Sequence, residues 1–178
     1  MKVIPLLMLL ILTGTIALAQ YKPVDTRSTV EFTIRNFGFD VKGSFKGIQG
    51  LINFDPQTPG NSSMDITIDA NTINTDNTLR DKHLKDEGYF DIRNYPNIRF
   101  VSAKVTADGR GGNYMVTGKL TIKGKSKDIS IPFSAEQHQE EFLFKGSFKI
   151  NRKDFGIGGT STISNELEVL LNIYAIKA

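Results

Sequence analysis

The sequence predicts an all-β fold: an antiparallel eight-stranded barrel with one short helix in the connection over residues 76–88. Three observations predict it. Beyond residue 20 most of the chain alternates apolar and polar residues with a period of two, the spacing of a strand that buries one face. Eight such segments follow one another, and turn-forming pairs such as Asp55-Pro56, Asp108-Gly109, Gly111-Gly112 and Lys123-Gly124 join most of them. Short connections favour antiparallel neighbours in up-and-down order. An apolar face on every strand leaves a sandwich or a closed barrel as the stable choices, and eight long strands favour the barrel.

Ahead of the strands the chain opens MKVIPLLMLLILTGTIALAQ. Lys2 precedes an apolar run over residues 3–12, and Ala17-Leu18-Ala19 forms an A-x-A cleavage pattern. The run is too short for a membrane span, which takes about 20 apolar residues. Residues 1–19 are therefore read as a secretory signal peptide. Residues 20–178 are read as one exported domain without stable membrane insertion.

In the first strand, STVEFTIR, Val30, Phe32 and Ile34 share a face. The second, FDVKGSFKGIQGLINFD, places Phe39, Val41 and Phe45 on odd positions and then Ile48, Ile52 and Phe54 on even ones. A parity change beside Gly47 is the mark of an inserted residue, so a bulge is predicted there. SMDITIDA aligns Met64, Ile66 and Ile68. NIRFVSAKVTA alternates less cleanly, with Ile98 and Phe100 opposite Val101, Ala103 and Val105. The pattern then sharpens: Tyr114, Val116, Leu120 and Ile122; Ile129, Ile131 and Phe133; Phe142, Phe144, Phe148 and Ile150; Leu167, Val169, Leu171 and Ile173. Pro132 cannot donate to a ladder and is expected at a strand irregularity.

The helix lies in the charged stretch NTLRDKHLKDEGYFDIRNYPNIRF. Thr78-Leu79-Arg80-Asp81 fits an S/T-x-x-D start, and Gly88 is placed to stop the helix. Two or three turns fall well short of the ~12–15 residues at which isolated helices become marginal, so this one has to dock. Leu79, Leu84, Tyr89 and Phe90 offer apolar surface to cover a barrel mouth.

Eight strands is the size at which a barrel is either just filled by side chains or holds one small ligand. Gly43, Gly118 and Gly146 sit on apolar faces. They either make room for neighbouring phenylalanines or help to leave a cavity, and the two readings are compatible. The candidate cavity face comprises Phe32, Ile34, Val41, Phe45, Ile52, Phe54, Ile66, Ile68, Phe100, Val116, Leu120, Phe133, Phe142, Phe144, Phe148, Val169 and Leu171. No polar residue recurs on it, so a deeply buried ligand should be mostly hydrocarbon.

Composition narrows the function further. The net charge of +3 falls by one when Lys2 is removed, and so weak a balance is no footprint for nucleic acid. Lys119, Lys123, Lys145 and Lys149 lie on outward positions without interleaved aromatics, so the stacking platform of a single-strand binder is missing. The chain has no cysteine, which excludes disulfides, thiolate catalysis and cysteine-bound metal. No G-x-S-x-G elbow, H-E-x-x-H pair or phosphate loop occurs, and His138 lies in the polar run EQHQEE. No catalytic residue, cofactor or metal is expected. The rival enzyme reading is a hydrolase or isomerase with His83 as general base and Asp81 or Asp86 to orient it.

Four segments, RDKHLK, YFDIRNYPNIRF, VTGKLTIKGKSKDISIPF and INRKDFGI, resemble the signature segments of the YceI-like family, in order and across essentially the whole mature chain. The resemblance implies an extended, lipocalin-like barrel whose apolar interior holds an elongated amphiphile, a polyisoprenoid or a fatty-acid derivative. It also implies a periplasmic location and, in some members, a homodimer. Asn36 stands where many relatives carry histidine, so no role of that histidine is carried over. Arg80, Asp81 and His83 match the family's R-D-x-H-L. They either bind a headgroup at the mouth or tie the helix to the barrel. Asn151, Arg152 and Asp154 form a second candidate mouth cluster, which serves either as a polar rim or as a tight turn plugged by Phe155. The function expected is binding, sequestration or transport of a long-chain apolar lipid. A fully packed, stress-related barrel without a ligand is the structural alternative.

Overall fold

The computed structural model describes residues 19–109, 111–159 and 162–178, so the signal peptide expected over residues 1–19 lies outside the described residues except for Ala19. The strands are β1 (Gln20–Pro23), β2 (Thr29–Asn36), β3 (Phe39–Asn53), β4 (Ser63–Asn74), β5 (Asn97–Ala107), β6 (Asn113–Ile122), β7 (Lys125–His138), β8 (Glu141–Asn151) and β9 (Ile163–Lys177). The single α-helix among the described residues, α1, spans Thr78–Leu84. All pairings are antiparallel, in the order β3-β2-β9-β8-β7-β6-β5-β4, and a β3–β4 ladder closes the barrel.

β1 was not expected. It pairs with β3 and β9, the same two neighbours as β2, so β1 and β2 are two pieces of one stave. A 3-10 turn at Asp25–Arg27 breaks that stave. Ser28 Oγ donates to the Val24 carbonyl at 2.8 Å and accepts the Tyr174 amide at 3.1 Å, and Asp25 Oδ1 accepts the Ile48 amide at 2.9 Å. The barrel therefore keeps eight staves.

Bulges set the phase of three of them. The β3–β4 register shifts on both sides of Lys46, and Gly47 adopts φ +74° with no room for a Cβ, which would meet Asp69 Cβ at 2.9 Å. The bulge predicted beside Gly47 is there. Another register shift between Ser102 and Lys104 moves the inward phase of β5 from Ile98 and Phe100 to Val105, which accounts for its weak alternation. Pro132 marks an irregularity of a different kind. The β6–β7 ladder passes it unbroken, whereas the β7–β8 ladder starts only at Phe133 and Gly146, as befits a residue with no amide to give. Toward the mouth β7 packs against the 3-10 turn Arg152–Phe155.

One end of the barrel is solid. Phe54, 1% exposed, meets the rings of Tyr114, Phe142 and Phe144 edge-on at 5.1–5.3 Å, and Phe133 at 6.0 Å. Tyr21 adds a further edge contact to Phe142 at 5.0 Å. Edge-to-face pairs of this kind contribute about 0.5–1.5 kcal/mol each beyond the area they bury. The opposite end carries the β2–β3 and β6–β7 turns, α1 with the rest of the 75–96 connection, and the turn that follows β8.

Candidate functional site

Between the ring plug and the mouth the barrel is hollow, with a cavity of about 260 Å³. Inward-facing Phe32, Ile34, Ile66, Ile68, Phe100 and Phe148 are only half-buried, since on one side they face empty space. Fourteen of the sequence-predicted wall residues line it: Phe32, Ile34, Val41, Phe45, Ile66, Ile68, Phe100, Val116, Leu120, Phe133, Phe144, Phe148, Val169 and Leu171. Ile52, Phe54 and Phe142 do not. They face inward as read, but at the closed end, where ring-on-ring packing fills the interior. Two of the three inward glycines seat rings: a Cβ on Gly118 would stand 2.6 Å from Phe100 Cζ, and one on Gly43 would collide with the Phe32 ring.

The 75–96 connection caps this space. Leu84, Tyr89 and Phe90 line the cavity, and Phe90 packs edge-on against Phe45 at 5.6 Å. Leu79, read as part of the cover, points to solvent. The helix begins one residue earlier than its capping pattern suggested: Asn77 supplies the cap, its side chain accepting the Arg80 amide at 3.0 Å, and the helix ends at Leu84, short of Gly88. The Asp81 carboxylate is used elsewhere. Its Oδ1 accepts the Thr75 amide at 2.9 Å and the Thr75 hydroxyl at 2.5 Å. From the far side Lys123 Nζ donates to the Glu87 and Gly156 carbonyls, and the Gly158 amide donates to the Gly88 carbonyl.

The predicted mouth residues separate. Arg80 lines the cavity and donates from Nε to Thr75 Oγ1 at 2.7 Å and from Nη2 to the Thr75 carbonyl at 2.6 Å. Arg152 also lines it, but is 4% exposed and gives its guanidinium to the carbonyls of Ile157, Gly159, Ile163 and Ser164, which fixes the turn after β8. Asn151 caps that turn by accepting the Lys153 amide, and Asp154 stands 4.0 Å from Lys127 outside. His83 faces away from the cavity, its ring edge-on to Tyr89 at 4.7 Å, with Nδ1 3.4 Å from Asp86. Asp81 and His83 thus make no dyad. Sequence reasoning passed over Ile73 and Thr75 in the lining, because the inward phase of β4 switches after Ala70 without a glycine to mark it.

The YceI-like domain family matches this chain over residues 21–175. The chain belongs to the YceI-like family. A UPF0312 protein of Photorhabdus laumondii is 30% identical to it, with 94% of this chain and 92% of that protein covered. Crystalline BcnA of Burkholderia cenocepacia superposes with a TM-score of 0.81 at 27% identity, covering 85% of this chain and 98% of BcnA. A domain of Saccharophagus degradans, described as polyisoprenoid-binding and implicated in plant cell wall breakdown, has the same fold, with a TM-score of 0.72 at 15% identity and 91% and 100% coverage. In this YceI-like barrel the lining is overwhelmingly apolar, and Thr75, Arg80 and Arg152 add polar groups to it at the mouth. Such a site can desolvate a hydrocarbon while meeting one polar end.

Proposed function

We propose that the protein takes the tail of a long-chain lipid, a polyisoprenoid or fatty-acid-like amphiphile, into its barrel and carries or sequesters it in the periplasm without covalent chemistry. The hollow carries this reading: apolar side chains of every stave surround about 260 Å³ that the protein leaves unfilled. A small domain does not keep such a void for stability, since unfilled volume costs roughly 24 cal/mol per Å³ in measured cores. The polyisoprenoid-binding description of the Saccharophagus domain supports the ligand class.

Size sets what fits. An apolar cavity of about 150 Å³ takes one benzene, so this one holds on the order of ten carbons. A longer tail has to continue beneath Leu84, Tyr89 and Phe90 toward the mouth. At roughly 0.8 kcal/mol per methylene, ten carbons contribute about 8 kcal/mol. Association costs an estimated 4–15 kcal/mol in lost freedom. Tail burial within the cavity therefore only about offsets the cost of binding, and contacts at the mouth decide affinity.

Native mass spectrometry of protein purified without added lipid, followed by solvent extraction, tests the proposal. Lipid that co-purifies, or uptake of an added prenyl or fatty chain at one per barrel, is the expected result. A clean apo mass with no uptake of either chain would leave the ligand-free barrel as the better reading.

A further inference from the structure

Among the described residues two arginines line the cavity, and they differ in what remains of their bonding capacity. Arg152 is enclosed by backbone carbonyls and is spent on its own loop. Arg80 gives Nε and Nη2 to Thr75, and among the described residues neither Nη1 nor the charge as a whole has a protein partner: no carboxylate forms an ion pair with it. The nearest candidate in sequence, Asp81, spends Oδ1 on Thr75 instead. Thr75, 5% exposed, holds the guanidinium by two bonds, one to its hydroxyl and one to its backbone carbonyl, so its plane is set before any ligand arrives. A half-buried cation beside an apolar hollow, oriented but not neutralised, lacks the group that would balance it.

From this we infer that Arg80 is the headgroup selector of the cavity and that the ligand is an anionic amphiphile, whose carboxylate or phosphate oxygen meets Arg80 while the tail lies among the inward phenylalanines. The inference rests on the lipid reading above and adds the charge of the ligand to it. A guanidinium presents paired N–H donors to either oxyanion, so carboxylate and phosphate heads share the chemistry and the experiment has to separate them. A hydrogen bond to a charged group contributes about 1.5–3 kcal/mol, which corresponds to roughly a tenfold preference or more over a neutral head.

Equilibrium dialysis with dodecanoic acid, dodecyl phosphate and 1-dodecanol, three heads on one tail, is the test. In the parent at least one anion binds about tenfold or more tighter than the alcohol, and the tighter anion identifies the headgroup source. Arg80→Gln removes that preference, weakening the anions by about tenfold more than it weakens the alcohol. Arg80→Lys, a point charge without the paired donors, retains part of it. The alcohol serves as the folding control, because a collapsed cap weakens all three ligands alike. Equal binding of acid, phosphate and alcohol to the parent, or an equal loss of all three in Arg80→Gln, overturns the inference and makes Arg80 a strut for α1; the lipid reading then stands on the alcohol. If none of the three binds, the lipid reading fails as well.

Discussion

At the scale of single residues, the two ends of the barrel ask different things of phenylalanine. Phe54 is surrounded by four rings and has nothing to collapse into it when removed, so Phe54→Ala should cost about 3–5 kcal/mol. Phe148 faces the hollow and already lacks neighbours on one side. Its loss forfeits fewer contacts, and Phe148→Ala of the ligand-free protein should cost roughly half as much. Urea unfolding of the two variants measures this, and equal losses would mean that the interior is uniformly packed. Phe37 poses a separate question. With Gly38 it forms the two-residue turn between β2 and β3, at φ +51° and +83°, and its ring is 71% exposed. Both positions of such a turn favour Asn or Gly, and the left-handed backbone costs a bulky L-residue about 1–2 kcal/mol. Phe37→Asn should therefore raise stability by about 1 kcal/mol, since no buried surface is given up. A loss of stability would show that the ring makes contacts that outweigh the backbone strain.

At the scale of elements, the cap depends on one side chain of the wall. Thr75 directly follows β4, and both Arg80 and Asp81 of α1 converge on it. Thr75→Val keeps the volume but removes a buried hydroxyl that both donates and accepts. The expected cost is about 1–3 kcal/mol, with faster hydrogen exchange at the α1 amides and faster release of bound lipid. Unchanged exchange would place the anchoring in the contacts of Lys123 and Gly158 on the other side. Elements also differ in how far the sequence disclosed them. Strand phase was legible wherever one face was apolar, and the parity change beside Gly47 announced the bulge there. The phase switches after Ala70 and at Ala103 carried no such marker, so Ile73 and Thr75 were passed over. β1 has only four residues, too few for a period to show. The separation of Arg152 from Arg80 was illegible for a physical reason: both read as mouth cations, and only tertiary carbonyls, which have no sequence signature, distinguish the spent one from the free one.

At the scale of the whole molecule, the filled end and the empty end have to be held in one closed sheet, and the outer surface contributes through pairs of opposite charge that link one stave to another. Arg99 meets Asp65 with bonds of 2.6 and 2.9 Å across β5 and β4, Arg27 meets Glu141 with two of 2.9 Å, and Lys145 meets Glu136 at 2.8 Å across β8 and β7. The hydrogen bond from each basic partner holds these three carboxyls below their ordinary range. A depressed carboxyl stabilises the fold fully above its unfolded value, about 3.9 for Asp and 4.3 for Glu, and loses that contribution as the pH falls through the lower folded value. Solvent reaches all three pairs, so each contribution is small and salt-sensitive. Stability should decline from about pH 5 downward, more steeply in dilute buffer than in ~1 M salt. The pair that closes β4 onto β5 isolates the effect: the difference in urea midpoint between the parent and Arg99→Gln should be present at pH 7 and shrink as the pH falls through the lowered folded value of Asp65. A difference that persists at low pH would mean that Arg99 supports the barrel through its aliphatic stem rather than through its charge.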